Sequence, residues 1–142
     1  VRYDKVDERT GKEKRVTTPY IVDAVSFTDA EGRICKELGD RLSGEIDICA
    51  ISRTNIQQIY VFDGTGLWFK VRIAFVDCDE NTGREKSSNM EILVNAENMT
   101  EAKERVDDVM KTSIVPWAIK NIKETSIAEV YEYFHEDELK QL

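Results

Sequence analysis

Imidazole and thiol chemistry have little to work with in this chain. It holds one histidine, His135, and three widely spaced cysteines, Cys35, Cys49 and Cys78. An odd number of cysteines with no C-x-x-C pair makes no closed disulfide framework, and with one histidine to help it makes no zinc site. The expectation is buried or reduced thiols in a cytoplasmic protein. No run approaches the roughly 20 apolar residues that a membrane span needs. There is no charged-then-apolar leader either, so a membrane partner is not expected. Positive charge is also short: 20 Lys and Arg stand against 28 Asp and Glu, for a net charge of −8. That charge repels polyanions at long range, although local patches override it at physiological salt. The 142 residues suit one ordinary domain, or two small halves sharing a core.

What the chain does have is internal similarity, and a repeat is read before anything else. Val1–Asp7 matches Val71–Asp77, and after a two-residue insertion the match resumes at a shift of 72. Thr10-Gly11-Lys12-Glu13-Lys14 then lies on Thr82-Gly83-Arg84-Glu85-Lys86, and Tyr20-Ile21-Val22-Asp23-Ala24 on Ile92-Leu93-Val94-Asn95-Ala96. At a shift of 71, Ile48, Ile51, Thr54, Ile56 and Tyr60 fall on Ile119, Ile122, Thr125, Ile127 and Tyr131. The expected fold is α+β: two tandem β-β-α-β repeats related by a pseudo-twofold, with antiparallel hairpins and one main helix each. The first repeat takes residues 1–60, a connector 61–67, the second repeat 68–131 and an acidic tail 132–142. The second repeat opens with Trp68-Phe69-Lys70, which predicts a few aromatic or apolar residues ahead of Val1 as well.

Phe69, Val71, Ile73 and Phe75 alternate with polar or small residues, as do Met90, Ile92, Val94 and Ala96, the period of half-buried strands. Glu80-Asn81-Thr82-Gly83 reads as the turn between them. Pro19 lacks a donor and belongs at an edge or beside a bulge. Helices follow, with Thr28 and Thr100 as predicted N-caps and apolar stripes Ala30/Ile34/Leu38 and Ala102/Val106/Met110. Asp29/Arg33 and Glu101/Arg105 fall at i,i+4 on the opposite faces. Third strands are predicted over 46–53 and 117–124, then a capped helical turn over 54–60 and 125–131. Packed sheets and one continuous sheet both satisfy this pattern.

Val1-Arg2-Tyr3-Asp4-Lys5, the stretch from Pro19 to Glu31 and the closing Glu124-Thr125-Ser126-Ile127 resemble a numbered domain-of-unknown-function family of Bacteroidetes and their phages. The likeness runs to about Tyr131 and rests on structural motifs, so it implies a single module and transfers no catalytic residue.

Candidate chemistry is sparse. Asp77-x-Asp79-x-Asn81 has the opening of a calcium loop, but positions six and twelve are Thr82 and Ser88 where Gly and Glu are needed. It reads as a hairpin turn. Gly64-x-Gly66 lacks the Gly-Lys-Ser/Thr and helix of a phosphate cradle and reads as a flexible connector. Asn98-Met99-Thr100 matches a glycosylation acceptor at a helix start. No nucleophile–base pattern surrounds His135. The expectation is a non-catalytic protein with no metal and no cofactor.

Charge placement suggests binding instead. Half of the net charge sits in residues 125–142, where Glu129, Glu132, Glu136, Asp137 and Glu138 face only Lys140. Cations lie on the predicted strands and hairpins. Arg2, Trp68, Lys70, Arg72 and Lys86 form a candidate cationic face with an aromatic for single-stranded nucleic acid. Opposing this, a register with Val71 across from Ile92 sets Arg72 against Glu91 and Asp77 against Lys86, and sets Asp7 against Lys14 in the first repeat. The alternative is a protein–protein adaptor, with Tyr131, Tyr133 and Phe134 as aromatic anchors for a protein partner.

Overall fold

The alternating stretches on either side of Glu80–Gly83 do pair as a long antiparallel hairpin, β6 (Leu67–Cys78) with β7 (Glu85–Ala96). This comes from a computed structural model of the chain, which describes residues 1–39, 41–42, 44–62 and 66–132. The other elements are β1 (Arg2–Val6), β2 (Glu13–Thr17), β3 (Tyr20–Val22), α1 (Phe27–Gly39), β4 (Ile46–Asp47), β5 (Ile56–Tyr60), α2 (Met99–Met110), β8 (Trp117–Glu124) and β9 (Glu129–Tyr131). The fold is α+β, built of antiparallel hairpins with two helices among the described residues.

The chain divides into two compact units. One comprises Thr54–Ser126, and the other Val1–Arg53 with the segment from Ile127. In the Thr54–Ser126 unit the sheet order is β5-β7-β6-β8. Phe69, Val71 and Ile73 from β6 and Ile92, Val94 and Ala96 from β7 bury against Ala102, Val106 and Met110 of α2. The helix stripe is the predicted one, and its period of about 3.6 residues sets those three side chains above one another on the sheet. Before β6, a Cβ on Gly66 would meet the Ala96 carbonyl oxygen at 2.6 Å. Glycine is there because the backbones approach closely, which corrects its reading as flexible connector.

In the other unit β2-β1-β4 form one sheet and β3-β9 a parallel pair. Ile34 and Leu38 of α1 pack with Tyr131 of β9, and Tyr20, Val22 and Ile46 gather around them. Pro19 sits between β2 and β3, where β7 runs unbroken. Without an N–H it ends one ladder before the next begins.

The two hairpin turns share their hydrogen bonds. The Asp7 N–H donates to the Lys12 carbonyl and the Gly11 N–H to Asp7, at 2.9 and 2.8 Å; Asp79, Arg84 and Gly83 repeat this at 2.9 and 2.7 Å. Gly11 and Gly83 have φ of 68° and 69°, the left-handed region that glycine enters freely. Asp7 thus corresponds to Asp79 in place of Asp77, and the expected two-residue insertion is absent. The same register sets Lys14 against Lys5, which corrects the Asp7–Lys14 pairing.

Other local expectations shift. The helix caps lie two residues early: Ser26 Oγ accepts from the Asp29 N–H at 3.0 Å, and Asn98 Oδ1 from the Glu101 N–H at 2.8 Å. Thr28 and Thr100 already lie inside the helices. The strand predicted over 46–53 is only β4. Residues 56–60 of the helical turn predicted over 54–60 are strand β5, whose pairing with β7 shifts between Ile56 and Gln58. That irregularity inserts a residue and turns the Ile56/Ile59 spacing of three, which imitates a helix, into one strand face. Residues 129–131 of the second predicted turn are strand β9.

Candidate nucleic-acid interface

Strand parity sorts the candidate residues before any distance is measured. Residues 69, 71 and 73 of β6 face α2, so Trp68, Lys70 and Arg72 point from the other side of the sheet. On β7 the positions opposite are Asn95, Leu93 and Glu91, and on β8 Lys123 stands opposite Lys70 and Asn121 opposite Arg72. Lys70, Arg72, Lys123 and Asn121 therefore share one face.

At its centre is Glu91, a carboxylate with 7% of its surface exposed. Lys70 Nζ lies 2.8 Å from Oε2, which has no other partner; Arg72 Nη2 and Nε donate to Oε1 at 2.8 and 3.1 Å. The Lys70 and Arg72 hydrogen bonds hold the Glu91 carboxyl below the usual carboxylate range, against the opposing effect of burial. Both cations stay partly solvated, with 36% and 50% of their side chains exposed. Lys123 is exposed. Lys120 falls where the β6–β8 register shifts, between Arg72 and Ile73. The face presents three cations, one internal counter-charge and an amide, an arrangement suited to holding an anion by charge and hydrogen bonds.

The remaining candidates add nothing to its surface, although Trp68 lies on the same side of β6. Trp68 is 7% exposed, and its carbonyl accepts from the N–H and Oγ1 of Thr125 at 2.9 and 2.7 Å. Its ring is part of the interior and offers no face to a base. Lys86 stands opposite Asp77. It projects from the α2 side of the hairpin, five to seven residues beyond Arg72 and Lys70, or roughly 17–23 Å at about 3.3 Å per residue. Arg2 belongs to the other unit, where its Nε donates to Thr17 Oγ1 at 3.3 Å. Lys123, a strand cation in the sequence but outside the candidate set, joins the face only through the β6–β8 register, which sets it opposite Lys70.

The adaptor residues fare differently. Tyr131 is 8% exposed and stacks on Tyr20, with centroids 6.2 Å apart and Arg41 over its ring. It is a core residue and not an exposed anchor. Tyr133 and Phe134 lie outside the described residues, as does Gly64.

Asp79 Oδ1 and Asp77 Oδ1 accept the N–H groups of Asn81 and Cys78, both at 2.9 Å. The calcium-like motif is a turn that uses its own oxygens. Among the described residues no group of three or more His, Cys, Asp or Glu side chains is placed to hold a metal. Cys35, Cys49 and Cys78 are free thiols, and of the two alternatives, buried or reduced, burial does not hold, since all three are exposed. No helix among the described residues is long and apolar enough to cross a membrane.

A family model, Domain of unknown function (DUF4494), matches residues 1–133. The chain belongs to the DUF4494 family. The match takes in both units as far as the described residues extend, so the Glu91-centred face lies within the DUF4494 domain. No curated protein and no solved structure matches the chain.

Proposed function

We propose that this DUF4494 domain is a non-catalytic binding protein that takes the backbone of a single-stranded nucleic acid on the side of β6 and β8 turned away from α2, through the solvated ends of Lys70, Arg72 and Lys123. The observation that carries the reading is the direct opposition of Lys70 and Lys123, with Arg72 on the same face and Glu91 the carboxylate bound to it. Like charges across a strand pair are destabilising, and an external phosphate chain relieves them. Glu91 pins two of the cations, so part of their ordering cost is met before a ligand arrives. The test is titration of a labelled oligonucleotide over a salt series, with Lys123→Glu as the variant because Lys123 does not touch Glu91. The expected result is binding at low salt, weakened by Lys123→Glu. The slope of log K against log salt should fall by about 0.7, the value of one single-strand phosphate contact. No binding at low salt, or an unchanged slope in the variant, overturns the proposal.

We also infer that the chain is two tandem β-β-α-β copies. Support comes from the matching turns at Asp7–Lys12 and Asp79–Arg84, and from the buried helix stripes Ala30/Ile34/Leu38 and Ala102/Val106/Met110, all at an offset of 72. Arg33 and Arg105 pair with Asp29 and Glu101 at the same offset. Replacing residues 7–12 by the sequence of 79–84 should leave unfolding free energy within about 0.5 kcal/mol. Failure to fold would count against a common ancestry for the two hairpins.

A further inference from the structure

Closing strands in this chain do not stay with the elements that precede them. β5 follows β4 but lies in the Thr54–Ser126 unit, paired in parallel with β7; β9 follows β8 but lies in the other unit, paired in parallel with β3. The two pairings correspond residue for residue. Gln58, Ile59 and Tyr60 stand opposite Ile92, Leu93 and Val94, while Glu129, Val130 and Tyr131 stand opposite Tyr20, Ile21 and Val22. Offsets of 71 on the closing strands and 72 on their hosts convert one set into the other. This is the connectivity of a strand-exchanged dimer, written within one chain.

The two closures are unequal. β5 has five residues, and just beyond it Asn95 clamps the Phe62 backbone, accepting its N–H at 2.7 Å and donating to its carbonyl at 2.8 Å. β9 has three residues, and the hydroxyl of its Tyr131 is buried with no hydrogen-bond partner. Outside its three register pairs β9 is held by the Ala128 N–H on the Pro19 carbonyl at 3.0 Å, the Asp23 N–H on the Tyr131 carbonyl at 2.9 Å and the Tyr131 ring in the cluster. All of these contacts are available to a β9 from another molecule once β9 opens and leaves the edge of β3 vacant. Residues 125–128 join β8 to β9, a short hinge of the kind that favours exchange between molecules over closure within one.

We propose that the β3 edge is a docking surface for β9 of a second copy of this chain, giving a reciprocal dimer that uses the same register pairs as the monomer. The proposal does not draw on the cationic face. Full-length protein in a light and a heavy isotope form, mixed at rising concentration and read by native mass spectrometry, tests it. Mixed-mass dimers should form and grow with concentration. Inserting Gly-Ser-Gly between Ser126 and Ile127 keeps every strand pair while relaxing the hinge, and should lower the dimer fraction several-fold. Val130→Pro removes the central N–H of β9 and should abolish the dimer. Monomer at every concentration, or a dimer indifferent to the insertion, overturns the proposal.

Discussion

Glu91 joins charge to burial at a single residue. Its carboxylate is nearly enclosed, and it is tolerated there because Lys70 and Arg72 reach it from β6. Replacing it by Gln leaves those two cations and Lys123 on one face without a counter-charge. The expected loss is about 1.5 kcal/mol, the low end for hydrogen bonds to a charged group because both cations are partly solvated. The pH dependence has a definite sign. The folded-state pKa lies below the unfolded one, so the stabilisation is full above roughly 4.3, the unperturbed glutamate value, and fades as pH falls through the folded value. Melting curves for wild type and Glu91→Gln should differ at pH 7 and converge in acid. A constant gap down to the lowest pH would show that Glu91 is not the titrating group. Tyr131 makes the opposite case at the same scale, a hydroxyl buried without a partner. Tyr131→Phe keeps the ring and should hold or raise stability in denaturant unfolding, since an unsatisfied buried group carries a desolvation cost.

For the elements, the helix N-termini decide where α1 and α2 begin. Asn98 has extended backbone, φ −151° and ψ 174°, and its side chain accepts from the Glu101 N–H. Asn98→Ala should cost about 1 kcal/mol, the usual value of a lost cap. Thr100→Ala should cost little, because Thr100 is exposed inside the first turn. Thermal melts of the two variants distinguish the caps, and a larger loss for Thr100→Ala would refute the Asn98 assignment. Both caps lay one pattern away from detection: Ser26 and Asn98 are cap residues in sequence, but Thr28 and Thr100 stood nearer the apolar stripe. The strand–helix confusion at β5 has a similar origin, since a register shift and a helical turn give an Ile-x-x-Ile spacing equally well.

Across the whole molecule, each unit contains its own buried cluster, and the cluster around Ile34 and Leu38 depends on Tyr131 from near the far end of the chain. Tyr131→Ala should therefore cost about 3 kcal/mol, as for a large buried aromatic. Hydrogen exchange should register the loss at amides of α1 and β3, with those of β6 and β7 protected as before. Equal loss of protection in both units would mean that they unfold as one. Charge at this scale is unevenly spread, with the net −8 coexisting with the solvated cations Lys70, Arg72 and Lys123 on β6 and β8.

Much of the architecture was legible in residue order alone. The β6–β7 register with Arg72 across from Glu91, the two apolar helix stripes and the glycines at the hairpin turns all follow from short-range periodicity and local backbone conformation. Neighbouring residues suffice to set them. Three features needed the folded chain: the enclosure of Trp68, the opposition of Lys70 and Lys123, and the crossing of β5 and β9 into the sheets they close. Each depends on which distant segment arrives beside another. Side-chain period is the same whichever strand a residue pairs with, so only the long-range hydrogen-bond register separates a stacking platform from an interior ring, and a strand that stays from one that crosses.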